Sequence, residues 1–277
     1  MAVIGKINML RVVKQVDFGL YLDGGEHGEI LLPKRYVPAD CNPGDEVEVF
    51  VYLDSEDRII ATTETPLAIV GEFAALRVVS VSSVGAFLDI GLMKDILVPF
   101  REQRHDMQVG ETHVVYVYLD DKTNRLVASA KLDRFLSNTP PTFREGEEVD
   151  ILVCHPTDLG YKAIVNDSYF GVLYKSEVFQ PLEIGEQTKA FINKVREDGK
   201  IDLILHKPGY EKTDDISKQI LDKLKMGGGF IGVTDKTDPE IIYKMFGVSK
   251  KTFKKAIGAL FRSRKIAIEK EGIRIIS

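Results

Sequence analysis

A nine-residue phrase occurs three times along this chain, as QVDFGLYLD (15–23), SSVGAFLDI (82–90) and TDLGYKAIV (157–165). Each phrase sets one glycine (Gly19, Gly85, Gly160) inside strand-like alternation. Each glycine is followed 25 residues later by a second, at Gly44, Gly110 and Gly185. The second glycines open GDEVEVFVYLDSEDRIIAT, GETHVVYVYLDDKTNRLVAS and GEQTKAFINKVREDGKIDLIL, which read as strand, polar turn, strand. The last turns on Asp198-Gly199, a favourable hairpin pair. Two patterns held at one interval three times define an internal repeat, and a repeat governs every later fold assignment.

The copies span 1–66, 67–142 and 143–210. Within each, the order is an alternating strand (IGKINMLRVV; VGEFAALRVVSV; VDILVCHP), the glycine strand, a short apolar strand (EILLP; DILVP; GVLYKSE), a polar loop and the hairpin. Five short strands with regularly spaced turn signals predict a small closed barrel. Such a barrel needs bends, and glycine inside a strand supplies them, so Gly19, Gly85 and Gly160 are expected at strand bends.

Residues 211–277 change character. DDISKQILDKLK (214–225) sets Ile216, Ile220, Leu221 and Leu224 at helical spacing before a Gly227-Gly228-Gly229 stop. DPEIIYKMFG (238–247) opens on a capping Asp238 with Pro239 at the first helical position and closes on Gly247. SKKTFKKAIGALFRSRK (249–265) opens on Ser249, a favoured cap. Its apolar stripe is Phe253, Ala256, Ile257, Leu260 and Phe261. IAIEKEGIRIIS reads as a hairpin turning near Glu271-Gly272. Three helices and a hairpin make the winged helix-turn-helix order, with 249–265 in the recognition position.

Charge separates the same modules. The whole chain carries −5, divided as −6, −1 and −4 over the three copies and +6 over 211–277. The helix 249–265 holds Lys250, Lys251, Lys254, Lys255, Arg262, Arg264 and Lys265 and no acid. Seven like charges repel one another, so contact with an anionic partner is expected there.

Three such barrels with a C-terminal winged helix resemble the CvfB (conserved virulence factor B) family of bacterial RNA-binding proteins. The resemblance rests on the spaced glycines, LYKSE (173–177) and GVSKKTFKKAIGALFR (247–262). The copies themselves resemble the OB-type RNA-binding domain named after ribosomal protein S-one. That family carries an aromatic-Gly-Ala-Phe phrase and ends its third strand in Leu-x-His-x-Ser-Glu. Here Tyr174 stands at the His place of the third copy, and Pro33 and Pro99 stand there in the first two.

The implied fold is mainly β with a C-terminal α+β domain: three tandem five-stranded OB-fold barrels, then a winged helix-turn-helix at 211–277. The implied function is single-stranded RNA binding and regulation of gene expression. The family's outward pairs around the glycine map onto Phe18 and Tyr21, Val84 and Phe87, and Leu159 and Lys162, with Tyr161 and Tyr174 nearby. Exposed aromatics there would stack bases. Arg58, Arg125 and Lys200 occupy matching hairpin positions and are expected to add cations to that face.

Catalysis is not expected. The carboxylates are spread over turns, and His27, His105, His113, His155 and His206 show no metal-ligand spacing. Cys154 and His155 are adjacent on a strand and point to opposite faces. Cys41 and Cys154 are too few for a disulfide framework, and no cofactor is expected. No apolar run approaches the roughly 18 residues of a membrane span. Lys6 and Arg11 interrupt the N-terminal apolar pattern, so neither a signal peptide nor a membrane partner is expected and the cytoplasm is the default. Ribosomal or RNA-processing proteins are possible further partners; oligomeric state is open. Two rival readings remain. One is a non-catalytic scaffold on ribosomal or nuclease partners; the other is a DNA-binding transcription regulator acting through the winged helix.

Overall fold

Alternating strands of four to ten residues cannot bury one face alone, and here each set of five closes on itself. A computed structural model describes residues 1–175, 177–178, 182–205 and 213–276, with side chains in the last stretch from 216 onward. Ser176 of LYKSE, His206 and the 210/211 junction lie outside the described residues. The chain divides into two compact units, Met1–Asn138 and Thr139–Ser277.

The first barrel contains β1 (Ile7–Val16), β2 (Gly19–Asp23), β3 (Glu29–Pro33), β4 (Glu46–Leu53) and β5 (Ile59–Thr62), closed in the order β1-β2-β3-β5-β4. The second contains β6 (Phe73–Ser82), β7 (Gly85–Leu88), β8 (Ile96–Pro99), β9 (Thr112–Leu119) and β10 (Leu126–Ser129). The third contains β11 (Glu148–Pro156), β12 (Gly160–Val165), β13 (Tyr169–Tyr174), β14 (Gln187–Val195) and β15 (Ile201–Ile204). In each, the third and fifth strands pair in parallel, as in β3 with β5.

Strand register does not shift at the phrase glycines. A Cβ on Gly19 would lie 2.1 Å from the Leu32 carbonyl oxygen, on Gly85 2.3 Å from that of Val98, and on Gly160 1.9 Å from that of Leu173. Glycine is required because the neighbouring strand's backbone passes too close for any side chain. The bend sits in the preceding strand instead, where register shifts after Val12, Val78 and Val153. Those bulges let one strand turn from one neighbour to the other.

The second glycines lock the same corner. The N–H groups of Gly44, Gly110 and Gly185 donate to the carbonyls of Val12 (2.9 Å), Val78 (2.9 Å) and Val153 (2.8 Å). Their φ angles of 100°, 92° and 88° favour glycine. The acid that follows ties each turn: Asp45, Glu111 and Glu186 accept from the backbone N–H of Asn42, Gln108 and Glu183. The 25-residue interval is therefore the path from the close-approach glycine to the turn that returns the chain to the bulge.

In the second unit, α1 (Thr213–Met226), β16 (Phe230–Ile231), α2 (Pro239–Phe246), α3 (Lys250–Arg262), β17 (Ile266–Ile268) and β18 (Ile273–Ile275) form the winged helix. The Asp238 side chain accepts from Glu240 N–H and Ser249 from Thr252 N–H, which satisfies N-terminal donors that the helices leave unpaired. Ile220, Leu224, Ile242, Phe253 and Ile257 make the core.

Three expectations change here. The hairpin is joined by β16 into a three-stranded sheet ordered β16-β18-β17. The helix ends at Arg262, with Arg264 at φ 56°, so Arg264 and Lys265 lie beyond it. Phe261 leaves the predicted apolar stripe and is 54% exposed. At 100° per residue it falls about 40° past the edge of the arc set by Phe253, Ala256, Ile257 and Leu260.

Candidate nucleic-acid interface

Side chains alternate along a strand, so the residue after each phrase glycine faces the core and the next faces outward. Leu20 and Ala86 are buried accordingly. Tyr161 holds the same register place, packs against the third barrel's core and accepts a hydrogen bond from Leu182 N–H at 3.5 Å. It is therefore not on the outer face, a correction to its expected place beside the platform. The outward positions are Tyr21, Phe87 and Lys162, all half-buried.

Strand register extends these positions into rows. In the first barrel Tyr21 is opposite Leu31, Leu31 opposite Ile60 and Ile60 opposite Tyr52. In the second the row is Phe87, Leu97, Val127 and Tyr118. In the third it is Lys162, Val172, Asp202 and Lys194. Two barrels thus carry apolar and aromatic rows across four strands, half-buried except at Tyr52 and Val127, which are buried, and one carries a mostly charged row.

The residue before each glycine is exposed in all three: Phe18 56%, Val84 55% and Leu159 65%. The Phe18 and Tyr21 rings meet edge-on, 6.3 Å apart, and Lys14 Nζ lies 4.7 Å above the Tyr21 ring while pairing with Glu29. Beside Phe18 the exposed Lys34 donates its backbone N–H to the Phe18 carbonyl at 2.9 Å. Lys175 repeats that bond to Leu159 at 3.0 Å. Phe100 holds the corresponding place after β8 and is also exposed. Sequence reasoning missed this position; its signal is the residue that follows the third strand in every copy.

In the third barrel Tyr174 donates its hydroxyl to Asp202 (3.2 Å) and accepts from Arg196, which also donates to Asp202 at 3.0 Å. Lys162 Nζ lies 3.4 Å from the Phe170 ring centre. This face offers hydrogen-bonding edges and charge where the other two offer stacking surface.

The three hairpin cations are all paired. Arg58 holds Asp54 at 2.8 Å and Lys200 holds Asp198 at 2.8 Å. Burial pushes the Asp54 carboxyl up, yet the backbone N–H and guanidinium of Arg58 bring it below the ordinary carboxylate value. Arg125 donates from Nε and Nη2 to the two oxygens of Asp57, at 2.6 and 2.7 Å, linking the second barrel to the first. Hydrogen bonds from Arg125 hold the Asp57 carboxyl below its usual value. Lys94 makes a second link, donating to the carbonyls of Leu53 (3.0 Å) and Asp54 (2.9 Å). Burial lowers the Lys94 ammonium from its usual value. Between these links lies a pocket of about 300 Å³ walled by Tyr52, Phe87, Leu97 and Val127. Arg125 is thus a structural tie at the rim of the apolar row.

On α3, Lys251, Lys254, Lys255 and Arg262 are exposed and Lys250 is half-buried. Lys254 pairs with Asp235 at 3.3 Å. Among the described residues no carboxylate lies within 4.0 Å of Lys250, Lys251, Lys255, Arg262, Arg264 or Lys265. Among the described residues no three His, Cys, Asp or Glu side chains group as a metal site, and no helix is long and apolar enough to cross a membrane.

Comparison with known proteins agrees with this architecture. The S1 domain family matches residues 4–64 and 70–131, and the CvfB-like winged helix domain matches 218–275. The chain is 29% identical to the Bacillus subtilis protein YitL over 93% of its own length and 88% of that protein's. It is 24% identical to conserved virulence factor B of Staphylococcus saprophyticus, covering 96% of this chain and 92% of the relative. A solved Streptococcus pneumoniae multidomain protein with nucleic acid binding domains aligns over 99% of this chain and 98% of its own, at 23% identity and a TM-score of 0.44. S1 and winged helix domains are nucleic-acid-binding types. The chain therefore carries S1 domains and a CvfB-like winged helix domain, and it is similar along nearly its whole length to proteins named conserved virulence factor B.

Proposed function

We propose that this protein binds single-stranded RNA and regulates gene expression after transcription, without catalysing a reaction. The observation that carries the reading is the pair of apolar rows whose half-buried members are Tyr21, Leu31 and Ile60 in the first barrel and Phe87, Leu97 and Tyr118 in the second. Unpaired bases stack on such surfaces whatever their sequence, whereas duplex bases are already stacked on each other. Phe18, Phe100 and Lys34 extend the rows at their rim. The α3 cations add attraction for phosphates, and lysines there position a strand without reading its bases. Regulation is inferred from the family likeness. Ultraviolet crosslinking of the full chain to total RNA, with linked peptides identified by mass spectrometry, tests the reading. Crosslinks are expected in the peptides holding Tyr21 and Phe87. RNA captured at neither face would overturn it.

A further inference from the structure

Three features of α3 are unexplained by its own packing. Gly258 lies in the middle of the helix, where glycine destabilises relative to alanine because more backbone freedom is lost on folding. A Cβ built there meets nothing within 4 Å, so no neighbour among the described residues demands its absence. Phe261, a large apolar ring, is turned to solvent. The surrounding cations, Lys254 apart, have no carboxylate partner among the described residues.

Helix geometry gathers these features in one place. Residues three and four apart are neighbours on a helix surface, so Gly258 is ringed by Lys254, Lys255, Phe261 and Arg262, with Lys251 two turns back. The missing side chain leaves a notch of bare backbone between long cations, with an aromatic ring at its edge.

We propose that this notch is a platform for an unpaired nucleic-acid strand, whose sugar–phosphate backbone crosses at Gly258 while a base stacks on Phe261. The cations require an anionic occupant, the glycine allows close backbone approach, and the ring needs a flat apolar face. A single strand supplies all three. An acidic peptide leaves the ring unused, and a duplex keeps its bases paired and unavailable to it. The proposal rests on the RNA-binding reading above and narrows it. The helix that stands where winged helices read a groove here takes a single strand.

The test compares the full chain with Gly258→Ala and Phe261→Ala for melting temperature and for binding one fluorescent 20-nucleotide RNA, alone and as a duplex. Gly258→Ala should raise the melting temperature of the winged helix by a few degrees and still weaken single-strand binding about threefold or more. Phe261→Ala should leave melting unchanged and weaken single-strand binding about 5- to 150-fold, the size of one lost stack. Duplex binding should be weaker and indifferent to Phe261. Single-strand affinity unchanged in either variant would overturn the platform while leaving RNA binding intact. Tighter duplex binding that falls with both substitutions would return α3 to groove docking. Wild-type protein that binds neither RNA would overturn the broader reading as well.

Discussion

In the second barrel the outward row crosses four strands as Phe87, Leu97, Val127 and Tyr118; in the third the same places hold Lys162, Val172, Asp202 and Lys194. The two barrels nonetheless share their backbone in detail. Each has the glycine pressed against a carbonyl, the bulge one strand earlier and the Gly-acid turn bonded back to the bulge. Few positions thus specify the barrel, and the outer face varies without disturbing them. The comparison also explains part of the acidity. Asp45, Glu111 and Glu186 recur because they tie turns, so one acid in each copy is there for folding rather than for a ligand.

The largest effect should fall on what the barrels share. Gly85→Ala and Gly160→Ala each force a Cβ to about 2 Å from a carbonyl oxygen and should each cost about 3 kcal/mol or more, as strain and overpacking combine. Urea unfolding of each variant measures this. A mild Gly160→Ala beside a severe Gly85→Ala would break the claim of a common frame.

The next effect should separate the faces. Tyr21→Ala and Phe87→Ala should each weaken single-stranded RNA binding by about 1–3 kcal/mol, one stacked base, with a melting loss far below that of a core residue. Lys162→Ala should instead flatten the plot of log affinity against log salt by about 0.7, one phosphate contact on a single strand. A salt titration of the three variants decides the matter. A large salt effect at Phe87, or a salt-independent loss at Lys162, would erase the distinction.

The smallest effect concerns the tie between the first two barrels; at the matching place in the third barrel Lys200 pairs with Asp198 of its own hairpin. Arg125 lowers the Asp57 carboxyl in the folded state. Its stabilising contribution is therefore present above the ordinary carboxylate value and is lost as pH falls through the lowered one. Asp57→Asn should melt slightly earlier than wild type at pH 6, and the gap should close as pH falls below the ordinary carboxylate value, near pH 4. Equal melting at pH 6 would make the pair incidental, as many exposed ion pairs are.

Much of this molecule is legible without coordinates because its rules are local. The 25-residue glycine interval, the Asp238 and Ser249 caps and the Gly247 stop each act within one element or one corner, where sterics and nearby hydrogen bonds decide the outcome. Those features determine three barrels and a winged helix in order. Interval alone cannot separate a bend from a close approach, since both call for glycine; the Leu173 carbonyl against Gly160 makes that choice. Nor can it find Tyr52 and Tyr118, which join the rows only through cross-strand register. Arg125 reads as a ligand cation until the second barrel packs on the first and brings Asp57, 68 residues away, against it. Phe261 reads as core until the arc of α3 that faces α1 is seen to end before it. Backbone conformation is set over a few bonds and can be written in spacing, but which surface a side chain finally faces depends on distant segments arriving beside it.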